Sequence, residues 1–142
     1  MVSLQREAGA ANVEFVFLTI AMFLPFSWLV ASAFSLHSAA LALDDAARQS
    51  ARAFSLAETP AAAEAAGLHL ANLVLSEHRL INAESQVRFT CVPSCLQPQS
   101  VVRAEVGARV ALPWVPPNLG LPAEIGLSAS HVEQIDFYRN TP

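Results

Sequence analysis

The most conspicuous reactive side chain in this sequence is an acid. Glu14 lies in the stretch REAGAANVEFVFLTIAMF, residues 6–23, at the edge of a run apolar enough to enter a bilayer. A carboxylate in that setting costs about 2.5–3.5 kcal/mol on insertion scales, so it seeks a cation as partner. The alternative is a glutamate resting at headgroup level with no role. Thiols are the second candidate group, since Cys91 and Cys95 stand in CVPSC. Two readings are open for them: free buried thiols, or a bridge closing the hairpin between the first two strands. Outside the cytoplasm the bridge is favoured, with Pro93 and Ser94 supplying a tight turn. Two cysteines are too few for a structural zinc site. His37, His69, His78 and His131 are scattered, without H-E-x-x-H or other metal spacing. There is no G-x-S-x-G and no phosphate-binding glycine loop. No catalytic, cofactor or metal site is expected, and the chain reads as a non-enzyme.

The elements that must position these groups begin with the apolar run. From Phe15 to Leu43 there are 29 residues without Asp, Glu, Lys or Arg, and about 20 apolar residues cross a hydrocarbon core. One transmembrane helix is therefore expected, over residues 10–40, behind a polar leader at 1–9. Pro25 should kink it, because proline removes a backbone hydrogen bond and crowds the preceding turn. The helix should continue into water through 41–58: Leu43, Ala47, Ser50 and Phe54 share one face, while Asp44, Asp45, Arg48 and Arg52 take the other. Asp44 and Arg48 are spaced for an ion pair worth about 0.2–0.5 kcal/mol.

Thr59 and Pro60 form a cap followed by a first-turn residue, so a second helix should occupy 60–80. Leu70, Leu73, Val74 and Ile81 are its expected buried stripe, and Gly67 weakens it. Beyond it the hydrophobic period becomes two. In SVVRAEVGARVAL, Val102, Ala104, Val106, Ala108, Val110 and Leu112 alternate with more polar positions. SQVRFTC and AEIGLSAS alternate likewise, giving a three-stranded antiparallel meander. PWVPPNLGLP holds four prolines and must be a loop, with Trp114 expected to anchor on the core. The fold class that follows is α+β: a long N-terminal helix, a second helix, and a small sheet whose apolar face needs those helices as cover.

Charge sets limits on partners. Charged residues are only 14% of the chain, and its mean hydropathy is +0.40. Asp44–Pro142 carries seven arginines against ten acids, and all eight basic residues of the chain are dispersed arginines. No footprint for nucleic acid results, and no polybasic lipid site. Arg6 before the span and Arg48 and Arg52 after it leave the positive-inside rule nearly silent on orientation.

The spacing around Glu14 is more specific than its composition. Gly9 is followed by Ala10, Ala11, Asn12, Val13 and Glu14, so cleavage after Gly9 would make Glu14 the fifth residue of the mature chain, with aromatic Phe15 next. That layout resembles the class III signal of type IV pilin-like proteins, and AGAANVEFVF resembles the N-terminus of TadE-like proteins of tight-adherence (Flp) pilus systems. Short strands, the cysteine pair, LPWVPP and DFYR give a looser likeness over the rest of the chain. Pro25 is not part of that signature.

The resemblance implies a pilin-like domain over 41–142, outside the cytoplasm of a bacterial cell and held by one span. It implies a minor pilin or pseudopilin acting in pilus assembly, with a prepilin peptidase, other pilin or TadE-like subunits, the inner-membrane assembly platform and the bilayer as partners. It makes Gly9 and Ala10 the processing site, and Glu14 with Phe15 the subunit-pairing residues, the amine of Ala10 on an adjacent subunit meeting Glu14. Two other readings compete. Ala31-Ser32-Ala33 has an A-x-A pattern that would release a soluble domain near Phe34, although Glu7 and Glu14 are wrong for the positive leader of a secretory signal. The other is an unprocessed, membrane-tethered binding domain.

Overall fold

The computed structural model describes the backbone of residues 4–80, 86–115, 120 and 122–136, and the side chains of these from residue 12 onwards. Two helices precede three strands: α1 (Leu4–Leu56), α2 (Pro60–Glu77), β1 (Gln86–Val92), β2 (Val101–Ala111) and β3 (Glu124–Gln134). Contacts divide the chain inside α1, into an N-terminal unit ending at Phe34 and a C-terminal unit from Ser35 onward. The expected transmembrane helix and its amphipathic continuation are thus parts of one helix, and helical backbone also takes in residues 4–9 of the expected leader. That helix stays helical through Pro25.

In the C-terminal unit, α1 lays down a seam of small residues. Leu43, Ala47, Ser50 and Phe54 are buried as their spacing predicts, and Ala39, Ala42, Ala46 and Ala51 are buried with them. Positions three and four apart make one helical face, and alanines there let another element approach closely. Asp45, Arg48 and Arg52 are exposed. Arg48 Nη2 meets Asp44 Oδ2 at 2.8 Å, with Arg48 exposed and Asp44 half-buried, a geometry that contributes roughly a few tenths of a kcal/mol.

Local signals at both ends explain the extent of α2. Thr59 caps it, its hydroxyl accepting from the Ala62 N–H at 3.3 Å, and Pro60 occupies the first turn. At the other end the Leu80 N–H donates to Leu75 O at 2.8 Å and the Arg79 N–H to Ser76 O at 3.1 Å. Arg79 takes φ 57°, the left-handed residue of a Schellman stop more often filled by glycine. The helix therefore ends at Glu77, three residues short of the expected 80. Its buried residues are Ala63, Gly67, Ala71, Val74 and Leu75. Of the expected stripe, Val74 is buried and Leu70 half-buried, Leu73 is 47% exposed, and Ile81 lies outside the described residues.

The reason for this rotation is Phe89. Its ring passes over Gly67, where an added Cβ would lie 2.5 Å from Cζ, and stacks at 4.9 Å on Phe54 of α1. Gly67 does not break α2. It is where the Phe89 ring of β1 lies against α2.

The sheet is the expected antiparallel meander, ordered β1-β2-β3. Phe89 pairs with Ala104 and Ala104 with His131. β3 runs to Gln134, beyond the 130 read from its apolar alternation, because Val101–Ala104 of β2 pair with His131–Gln134. Every second residue of β2, from Val102 to Val110, is buried. Two clusters form the core: Leu43, Ala46 and Ala47 gather with Val74, Leu75, Val106 and Ala108, and Phe54 gathers with Ala63, Leu96, Val102 and Ile135.

Candidate membrane-anchoring and assembly surface

Hydrophobic side chains of the N-terminal unit face outward all round the helix. Phe15 is 71% and Met22 79% exposed, and Phe17, Phe23, Phe26 and Leu29 are similarly open. At 100° per residue Phe15 and Phe17 point to nearly opposite sides. A helix apolar on every side belongs in a protein core or a membrane, and this stretch is almost wholly unburied within its own chain. The segment Asn12–Leu56 contains an 18-residue window of mean hydropathy 2.0, long and apolar enough to cross a bilayer. A signal sequence satisfies the same condition of length and composition.

The polar groups in this stretch are mostly satisfied by their own helix. The Thr19 hydroxyl donates to Phe15 O at 2.8 Å, that of Ser27 to Phe23 O at 2.8 Å, and that of Ser32 to Trp28 O at 2.9 Å. Such back-bonding removes the need for water. Glu14 differs: it is exposed and forms no ion pair among the described residues. Gly9 and Ala10 lie within the helical backbone of α1, and Phe15 follows Glu14 on the open surface. Beside Pro25, the side chains of Thr19, Met22, Phe23, Phe26 and Leu29 border an open apolar hollow of about 650 Å³.

Of the candidate site residues, Cys91 and Cys95 are brought together. They form a disulfide with Cα atoms 5.0 Å apart, across a turn containing a cis Val92–Pro93 bond. The bridge closes the outgoing end of β1 and leads toward Leu96, which is buried against Val102 and Ile135. No group of three His, Cys, Asp or Glu among the described residues is placed to hold a metal. His131 Nε2 lies 3.5 Å from Glu133 Oε2 on β3, both about one-third exposed.

Trp114 departs from expectation. It is 72% exposed and does not anchor on the core. Its backbone has φ 43°, which turns the chain sharply just after β2 and carries the indole outward. The signal for this was the proline density of the loop, which prevents the strand geometry that would return a side chain to the core.

No known protein family, curated protein or solved structure matches the chain.

Proposed function

We propose that this chain is a membrane-anchored assembly subunit, a TadE-like minor pilin or pseudopilin that takes part in building a tight-adherence pilus. The observation that carries the reading is the outward-facing apolar surface of residues 15–34, preceded by one exposed acid, Glu14, and continuous in sequence with a packed α+β unit. An apolar surface open on all sides is at home in lipid, and the same surface can pack against apolar helices of neighbouring subunits. The hollow beside Pro25 gives a neighbour's side chain a place to insert.

In this reading Glu14 sets register. The mature amine of Ala10 on an adjacent subunit supplies the cation that Glu14 lacks among the described residues, and one buried polar pair specifies one axial offset where apolar contacts alone would permit many. The C-terminal unit sits outside the cytoplasm of a bacterial cell, in keeping with its Cys91–Cys95 disulfide.

The deciding experiment is N-terminal sequencing of the protein extracted from membranes of cells with an active prepilin peptidase. A chain starting at Ala10 is expected. A start at Phe34 would mean a secreted domain, and an intact Met1 would end the processing proposal. In the same cells Glu14→Ala is expected to leave the protein in the membrane while lowering pilus output, and unchanged output would remove the pairing role.

A further inference from the structure

We propose that β3 is a self-pairing edge, through which two copies of this chain join their C-terminal units by antiparallel pairing about a two-fold axis at Ala129. The proposal uses the C-terminal unit alone and is independent of the membrane reading above. Its first support is the direction of backbone groups. Opposite residues of an antiparallel pair alternate between those that exchange hydrogen bonds and those that do not. The register of β2 on β3 runs without a bulge, from Val101 opposite Gln134 to Ala111 opposite Glu124. One step beyond either end, the Ile135 N–H donates to Ser100 O and the Leu112 N–H to Ala123 O, each at 2.9 Å. Both bonds give the same phase: odd-numbered residues of β3 bond to β2. The N–H and C=O groups of Glu124, Gly126, Ser128, Ser130, Val132 and Gln134 therefore point away from β2, toward a side where no strand lies among the described residues.

The character of this edge is the second support. An open strand edge is ordinarily guarded by lysine, proline, a bulge or shortness. β3 is eleven residues long, EIGLSASHVEQ, with no Lys, Arg or Pro, and its two acids stand near its ends. β1, the other edge, has seven residues, carries Arg88 and runs into the Cys91–Cys95 bridge. Cover from the helices also thins toward β3. Val110, Ala108, Val106 and Ala104 of β2 are buried, whereas the residues opposite them on β3, Ile125, Leu127, Ala129 and His131, are half-buried.

A second copy fits because β3 is complementary to itself, as a closed two-fold contact requires. In the one register that pairs all of Glu124–Gln134, Ala129 meets Ala129 of the second copy, and positions equidistant from it face each other. Even-numbered residues then meet even-numbered ones, so every backbone group that β2 leaves free takes part in the new ladder. On the outer face Ser128 faces the second copy's Ser130, hydroxyl to hydroxyl, and Glu124 meets the amide of Gln134. Gly126, with open space where a Cβ would stand, leaves room opposite Val132. On the helix side Leu127 faces the ring of His131, and Ile125 the stem of Glu133. No like charges stand opposite one another, the arrangement that destabilises such pairs. The axis is perpendicular to the sheet and reverses directions in its plane, so the helix segments 35–56 of the two copies run antiparallel. This contact is therefore distinct from the side-by-side packing of apolar helices in the assembly reading.

The full-length chain in detergent tests this through Ala129→Cys. Opposite residues outside the hydrogen-bonded pairs have Cα atoms about 4.5 Å apart, inside the roughly 4.4–6.8 Å that a disulfide spans. Mild oxidation is expected to give a covalent dimer that a reducing agent dissolves, while Gly126→Cys, placed opposite Val132, gives little. Equal cross-linking at both positions, or none at Ala129→Cys, would overturn the proposal. Ser130→Pro is the complementary variant: it removes an N–H aimed away from β2 and leaves the β2–β3 bonds intact. By sedimentation the parent is expected to be a dimer and Ser130→Pro a monomer with an unchanged melting midpoint. A monomeric parent, or a variant that stays dimeric, contradicts the pairing. Where proline lowers the midpoint, the two cysteine variants decide alone. A dimer lost in Glu14→Ala but kept in Ser130→Pro assigns association to the N-terminal unit, which removes this proposal and leaves the assembly reading standing.

Discussion

Gly67 is the residue at which chain chemistry and packing are most tightly linked. Read along the sequence it is a weak point in a helix, costing about 1 kcal/mol relative to alanine. In the fold its missing side chain is the space that Phe89 occupies, itself stacked on Phe54. Gly67→Ala brings a Cβ to 2.5 Å from Phe89 Cζ and 3.0 Å from Cε1. Overpacking of that kind costs about 1–3 kcal/mol, against the roughly 1 kcal/mol that alanine returns in helix propensity. The expected outcome is a lower melting midpoint for the full chain in detergent, partly restored by adding Phe89→Leu. A midpoint equal to or above the parent's would contradict the close approach. The Asp44–Arg48 pair, although plainly legible from its spacing, contributes far less.

Among the elements, α1 and α2 differ in how well their buried faces could be foreseen. On α1 the charged side of Asp45, Arg48 and Arg52 marked the opposite side as buried, and Leu43 and Phe54 lie there. On α2 charges are few, so the largest apolar residues gave the only pattern, and they pointed to Leu73. The observed face is Ala63, Gly67, Ala71 and Val74, with Leu75 beside it. Small residues carry little hydrophobic signal yet permit the closest contact, which is why the pattern and the fold disagree here. Two identical substitutions separate the two views. Leu43→Ala, at a fully buried position, is expected to cost about 2–5 kcal/mol. Leu73→Ala, 47% exposed, is expected to cost about 1 kcal/mol or less. Chemical denaturation of the two variants measures the difference, and equal losses would restore Leu73 to the core.

At the scale of the whole molecule, the N-terminal unit has an apolar helix long enough to cross a bilayer, and the C-terminal unit carries a disulfide of the kind that persists in an oxidising compartment. Differential alkylation of the protein from intact cells is expected to show Cys91 and Cys95 blocked before reduction and reactive afterwards. Two thiols reactive from the start would put the C-terminal unit in the cytoplasm and contradict the proposed orientation. Replacing both by serine is expected to lower stability by about 2 kcal/mol, since the bridge closes a very short loop. The sequence by itself determined the order of the elements, the 29-residue charge-free run, the solvated side of α1 and the alternation of β2, because each is a local periodicity that a single element must obey. Only the tertiary structure decided that Gly67 is a contact rather than a break, that the core side of α2 passes through alanines, and that Trp114 points outward. Those outcomes depend on which surfaces meet: the position of the Phe89 ring selects the face of α2, and the left-handed turn after β2 selects the direction of the indole.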